Sequence, residues 1–200
     1  AVLDRTFDRV GNMATQSLMR TLGTAAPDFA LTDVRSGETV RRTDFDGRPL
    51  VVLFICNHCP YVKRIQAGLA ALGADYAATD VAIVGISSND ADAYPDDAPA
   101  ELARVADEVG YTFPLLYDED QSVAKAYGAV CTPDIYLFDR DHKLVYRGQF
   151  DDARPRNDEP VTGRDLRTAI DAVLAGLPVP DDQVPSVGCG IKWKPGNEPD

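Results

Sequence analysis

The chain has 200 residues, of which 44% are hydrophobic and 26% charged, and its 20 Lys+Arg against 32 Asp+Glu give a formal net charge of −12. That length holds one sizeable domain with short extensions, and the composition is that of a globular protein. So acidic a chain is repelled by nucleic acid and by anionic membrane surfaces, and no apolar run approaches the roughly 20 residues that cross a bilayer.

Residues 1–12 carry charges every few positions and lack the apolar centre of a secretion signal, so the expected location is the cytoplasm. They read as an added segment outside the fold, with Met13 as an alternative start. The expected organisation is an N-terminal extension over 1–21, one domain over 22–176 and a C-terminal tail over 177–200. The ordered region opens at Ala26-Pro27-Asp28-Phe29. A turn at Arg35-Ser36-Gly37-Glu38 then predicts an N-terminal β-hairpin running into residues 39–42.

Residues 50–55 (LVVLFI) form an unbroken apolar run of strand length, as a central strand covered on both faces requires. Val62, Ile65, Leu69 and Leu72 then mark one face of a helix. A second buried strand is predicted at 81–86, an amphipathic helix through Leu102, Val105, Ala106 and Val109 ended by Gly110, a short strand at 113–116, and a short helix at 121–127 stopped by Gly128. Residues 135–138 and 144–148 read as an antiparallel hairpin. Leu166, Ala169, Ile170, Val173 and Leu174 mark a last helix ending at Gly176, and the Pro-, Gly- and Asp-rich remainder reads as a tail. The alternation predicts an α/β fold: a central mixed sheet, helices on both faces and an antiparallel edge.

Cys56-Asn57-His58-Cys59 falls where a buried strand ends and a helix begins. Unpaired N–H groups and the helix dipole favour negative charge there, and such surroundings lower a cysteine pKa from about 8.5 towards 3.5–7.5. His58 can add a positive charge. The C-x-x-C spacing lets the second sulfur attack a mixed disulfide formed at the first. Structural disulfides are rare in the cytoplasm, and this spacing in an α/β pattern favours redox chemistry over a zinc site, which usually needs a second close ligand pair. Cys131 and Cys189 each stand alone. Thr132-Pro133, just before the hairpin, is a position where a cis bond can be held.

Ala26-Pro27-Asp28-Phe29, the run 47–63 (GRPLVVLFICNHCPYVK), Thr132-Pro133 and the 138–146 hairpin together resemble the thioredoxin superfamily, in its redoxin (AhpC/TSA-like) branch related to peroxiredoxins. The likeness covers residues 22–176, and residues 188–197 resemble the tails of thioredoxin-like bacterial proteins of the thiol-disulfide isomerase type. The resemblance implies a thioredoxin-like fold and a cis peptide before Pro133. It implies a substrate groove formed with Asn57, Pro60, Thr132 and Pro133, Cys56 as the exposed attacking thiol and Cys59 as the buried resolving one. The implied activity is disulfide reduction or exchange on a protein or small molecule, with no bound cofactor and an external thiol as reductant. Two departures stand out: Ile55 replaces the familiar Trp, and residues 50–55 lack the buried acid of thioredoxins, leaving proton transfer to water, His58 or another group.

Two rival readings remain. Cys59-Pro60 also matches the end of the peroxiredoxin pattern P-x-x-x-T-x-x-C-P, which would make Cys59 a peroxide-attacking thiol, but Val52 and Cys56 occupy the Pro and Thr positions. A metal carrier would use Cys56 and Cys59 with His58 or His142. Cys131 reads as a small buried hydrophobe or a neighbour of the centre. Cys189, between two glycines, is expected to fold back as an accessory resolving thiol or to pair with Cys131. His142 is expected in a solvated turn, the acidic stretch 89–97 as an exposed loop beside the site, and Trp193 as an anchor for the tail.

Overall fold

The computed structural model describes residues 5–7 and 13–199. Strands β1 (Arg5–Phe7), β2 (Met13–Gln16), β3 (Ala30–Asp33) and β4 (Thr39–Arg41) precede β5 (Leu50–Phe54) and helix α1 (Pro60–Tyr76). Then follow β6 (Ala82–Ser87), α2 (Pro99–Val109), β7 (Leu115–Tyr117), α3 (Ser122–Tyr127), β8 (Cys131–Thr132), β9 (Asp134–Phe138), β10 (Leu144–Arg147), α4 (Arg164–Leu174) and β11 (Val187–Gly190).

Seven strands form the main sheet in the order β10-β9-β5-β6-β7-β3-β4. The inner pairs β5–β6 and β6–β7 are parallel; β9 and β10 on one side and β3 and β4 on the other run antiparallel, so the sheet is mixed as expected. Every residue of β5 is buried, which is why its sequence is continuously apolar. Val51 and Leu53 face a core closed by α1, α2 and α4. Leu50, Val52 and Phe54 face a second core with α3, Phe29 and the half-buried Trp193. Each fully buried aliphatic side chain contributes about 1.5–3 kcal/mol, so the two cores clamp β5 from both sides.

The predicted helices terminate where their glycines allow: Gly110 and Gly128 both take left-handed conformations directly after α2 and α3. The strand expected at 113–116 begins at Leu115 instead, because Pro114 has no N–H to donate and enters the sheet only through its carbonyl, which accepts from Gly85 N–H.

Segments of the N-terminal extension and of the tail take part in structure. A second, four-stranded sheet has the order β1-β2-β11-β8, so β11 from the tail pairs antiparallel with β2 and with β8. The reading of residues 1–12 as an added segment falls largely outside the described residues. Among the described residues no helix is long and apolar enough to cross a membrane.

Candidate thiol site

β5 ends at Phe54, the chain turns through Ile55 to His58, and Cys59 is the N-cap of α1 with Pro60 at its first helical position. Proline fits there because the first turn of a helix leaves its N–H groups unpaired in any case. The Thr132-Pro133 bond is cis, as the resemblance implied. Thr132 touches both sulfurs: its Oγ1 lies 3.3 Å from Cys56 Sγ, and its carbonyl accepts from Cys59 Sγ at 3.1 Å when that thiol is protonated.

Cys56 is only 4% exposed and Cys59 is fully buried, so the expectation of an exposed Cys56 is corrected. Beside the two thiols, β11 runs along the edge of β8 with Cys189 opposite Thr132 and Gly190 opposite Cys131. The groove expected around Asn57, Pro60, Thr132 and Pro133 is accordingly covered at its Thr132-Pro133 side, while Pro60 is exposed and Asn57 half-buried. Ser186 closes the same edge further by donating to the Pro133 carbonyl at 2.7 Å.

The loop 89–97, expected to be exposed, delivers the acid that β5 lacks. Asp97 is fully buried. Its Oδ1 accepts from the backbone N–H of Asn57 at 2.7 Å and of His58 at 3.2 Å; its Oδ2 accepts from Asn89 Nδ2 at 2.9 Å and pairs with His58 Nδ1. A carboxylate only accepts, so Nδ1 carries the hydrogen and the other ring nitrogen of neutral His58 is left free to take a proton. Burial pushes the Asp97 carboxyl up, but the hydrogen bonds from His58, Asn89 and Asn57 outweigh it and hold the group below the usual carboxylate range. Tyr94 stacks on the His58 ring at 5.0 Å, and Asn57 Nδ2 donates to the Asp96 carbonyl at 2.9 Å. Sequence periodicity does not reveal this acid. The available signal is topological: β5 and β6 are parallel neighbours, so the loops leaving their C-terminal ends lie side by side.

The two thiols differ in their surroundings. Cys56 is raised well above the ordinary thiol range by its hydrogen bond with Cys59, by burial and by the charge of Asp97, against a smaller lowering by Thr132. For Cys59, burial also acts upward, but hydrogen bonds from the Cys189 and Cys56 thiols and from the N–H groups of Val62 and Cys189 pull it down. These surroundings favour negative charge on Cys59, at the helix N-terminus, over Cys56.

Cys56, His58 and Asp97 each present an atom within 4.8 Å of the others and are the residues that could hold a metal among those described. Both Asp97 oxygens are already engaged by protein donors, so a metal would have to displace them. His142 does not join the group. Contrary to the solvated turn expected, it is 6% exposed, with its Nδ1 2.6 Å from Arg42 Nη1 and its Nε2 near the carbonyls of Phe45 and Arg48, at the far end of β5 from Cys56. Cys131 is fully buried, its Sγ 3.6 Å from the Pro133 carbonyl, and burial and Asp134 push its thiol far up; this is the environment of an inert packing cysteine.

Comparison with known proteins agrees with this architecture. A solved structure of an uncharacterized conserved protein from Geobacillus kaustophilus is 56% identical, with a TM-score of 0.89 over 92% of this chain and 97% of that one. The thiol-disulfide oxidoreductase ResA of Geobacillus thermodenitrificans is 26% identical over 133 residues, 66% of this chain and 72% of the relative. A Mycobacterium tuberculosis protein named "Putative peroxiredoxin" is 32% identical over 123 residues, 61% of this chain and 73% of the relative. With the AhpC/TSA profile matching residues 22–147, the chain belongs to the AhpC/TSA family of the thioredoxin superfamily.

Proposed function

We propose that the protein is a thiol-disulfide oxidoreductase of a reducing, cytoplasmic compartment, working through Cys56-Asn57-His58-Cys59 without a bound cofactor. The observation that carries this reading is the meeting of two thiols at the N-terminus of α1 with a histidine–aspartate pair, Cys56 lying within 4.8 Å of both His58 and Asp97. Cys56 gives its proton to His58, oriented by Asp97, and attacks a disulfide of a protein or small molecule. Cys59 then attacks the Cys56 sulfur of the mixed disulfide, expelling the substrate's thiolate and leaving a Cys56–Cys59 disulfide. To restore the pair, an external thiol attacks Cys56 and displaces Cys59, and a second external thiol then attacks the sulfur of the first, releasing Cys56 and leaving the two reductant thiols as a disulfide. Cys59 leaves as a thiolate held by the Val62 and Cys189 N–H groups, which favours the reduced form. The relationship to ResA supports disulfide exchange as the chemistry.

One observation favours a second reading. The charge-bearing thiol is Cys59, directly before Pro60, as a peroxide-attacking cysteine requires, and one relative carries a peroxiredoxin name. The two are separated by measuring oxidation of the reduced protein by hydrogen peroxide and by a small disulfide, with Cys56→Ser and Cys59→Ser alongside. Disulfide reaction lost in Cys56→Ser, with peroxide no faster than for free cysteine, is the expected result. Fast peroxide oxidation that survives Cys56→Ser and disappears in Cys59→Ser would replace the oxidoreductase by a peroxidase.

A further inference from the structure

We propose that Cys189 is a third redox thiol, which takes over the disulfide from Cys56 by bonding to Cys59, so that β11 serves as a built-in exchange strand. The inference rests on the oxidoreductase reading and adds to it a thiol outside the C-x-x-C pair.

The geometry is specific. Cys189 sits opposite Thr132, the residue whose hydroxyl and carbonyl touch Cys56 and Cys59, and its thiol is hydrogen-bonded to Cys59. Of the four cysteines it alone is half-buried, the other three being buried. The flanking glycines permit this approach: a Cβ on Gly188 would stand 1.9 Å from the Thr132 carbonyl oxygen and 2.5 Å from its carbon, a contact backbone cannot relieve without moving the strand. β11 thus occupies the strand edge beside the thiols, the place where an extended substrate segment would pair with β8, and it presents a cysteine there. The segment after it is tied to the same site: Lys192 N–H donates to Asn89 Oδ1 at 2.8 Å, and Asn89 in turn holds Asp97.

The step is an isomerisation. Once a disulfide substrate has been reduced and Cys56–Cys59 has formed, the Cys189 thiolate attacks Cys59 Sγ. The Cys56–Cys59 bond breaks, Cys59–Cys189 forms, and the electron pair leaves on Cys56, which takes up the proton that Cys189 gave up. One disulfide and one thiol stand on each side, so no further oxidant is required. The order of events follows from the hydrogen bonding. In the reduced site the strongest influence holding the proton on Cys189 is its bond to Cys59, with burial second. Converting Cys59 to a disulfide removes the charge that bond serves, and Cys189 becomes available as a nucleophile.

The test is disulfide mapping of the full chain. Reduced protein is treated with oxidised glutathione, free thiols are alkylated, and the unreduced digest is read by mass spectrometry. Wild type is expected to yield Cys59–Cys189 peptides beside Cys56–Cys59. Cys56→Ser is expected to release glutathione from Cys59 as the Cys59–Cys189 bond closes, at least tenfold faster than Cys56→Ser/Cys189→Ser. Cys56–Cys59 alone in wild type, with Cys189 fully alkylated, would overturn the inference and leave the oxidoreductase reading standing. No oxidation at any cysteine would remove both.

Discussion

The two faces of the sheet bury two aspartates with opposite results. On the thiol face, Asp97 is surrounded by four donors and stays charged. On the other face, Asp134 pairs across the sheet with Phe54 and lies fully buried near Tyr136. One of its oxygens takes the Val130 N–H at 3.1 Å while the other lacks a properly directed donor, and burial pushes its carboxyl up to about 7. Burial alone therefore does not decide ionisation; the number of donors aimed at the carboxylate does. A site that must accept and return protons beside two thiols keeps its acid charged by surrounding it with N–H groups. The acid one strand away acts instead on the buried Cys131, whose thiol it helps to push up.

Removing Asp97 is the harshest way to break this contrast. Asp97→Ala leaves the donors of Asn57, His58 and Asn89 unpaired beneath the C-x-x-C loop, and we expect a loss of about 3–5 kcal/mol in urea denaturation, together with slower reaction of Cys56 with a small disulfide. A change within about 0.5 kcal/mol, the range of ordinary surface substitutions, would show that the carboxylate does not organise the loop.

Asp134 sharpens the contrast through its pH dependence. Its folded pKa lies above its unfolded value of 3.8, so its contribution is fully present below about pH 4 and is lost as pH rises through about 7. That gap corresponds to at most about 4 kcal/mol at 1.36 kcal/mol per pH unit. Asp134→Asn is expected to remove this slope and to raise stability most above pH 7, as read from denaturation midpoints between pH 4 and pH 8. Asp97 has the opposite sign: held low in the folded state, it stabilises above its unfolded pKa and ceases to do so only in acid. Parallel pH profiles for wild type and Asp134→Asn would mean that the buried carboxyl is not titrating in this window.

The smallest effect concerns the support of His58. Tyr94→Leu removes the ring stacked on the imidazole and is expected to cost about 1 kcal/mol. It should also shift the pH profile of Cys56 reactivity without abolishing it, whereas an unchanged profile would leave Asp97 as the sole positioning partner.

Much of this arrangement is legible in the chain. The continuous apolar run of β5, the helical stripe of α1 and the helix-ending glycines Gly110 and Gly128 follow from local periodicity and backbone freedom, and they place the C-x-x-C at a strand-to-helix junction. The hairpins β3–β4 and β9–β10 follow from turn chemistry. The site beyond the two cysteines is another matter. Asp97 stands 38 positions after Cys59, in a loop whose composition reads as solvated, and His142 stands in a turn that reads the same way; both are buried because distant segments close over them.

What the sequence determined by itself was whatever depends on neighbours along the chain: the strands of the main sheet and the helices beside them, and that two thiols meet a helix N-terminus. What only the tertiary structure decided was which charges face those thiols and what covers them. Gly188-Cys189-Gly190 looks like flexible tail because glycine-rich segments lack local preference, yet pairing with β2 and β8 fixes it as a strand over Thr132. Pairing across the chain carries no periodic signal of its own, and here it places a third thiol beside Cys59 and a strand over Thr132.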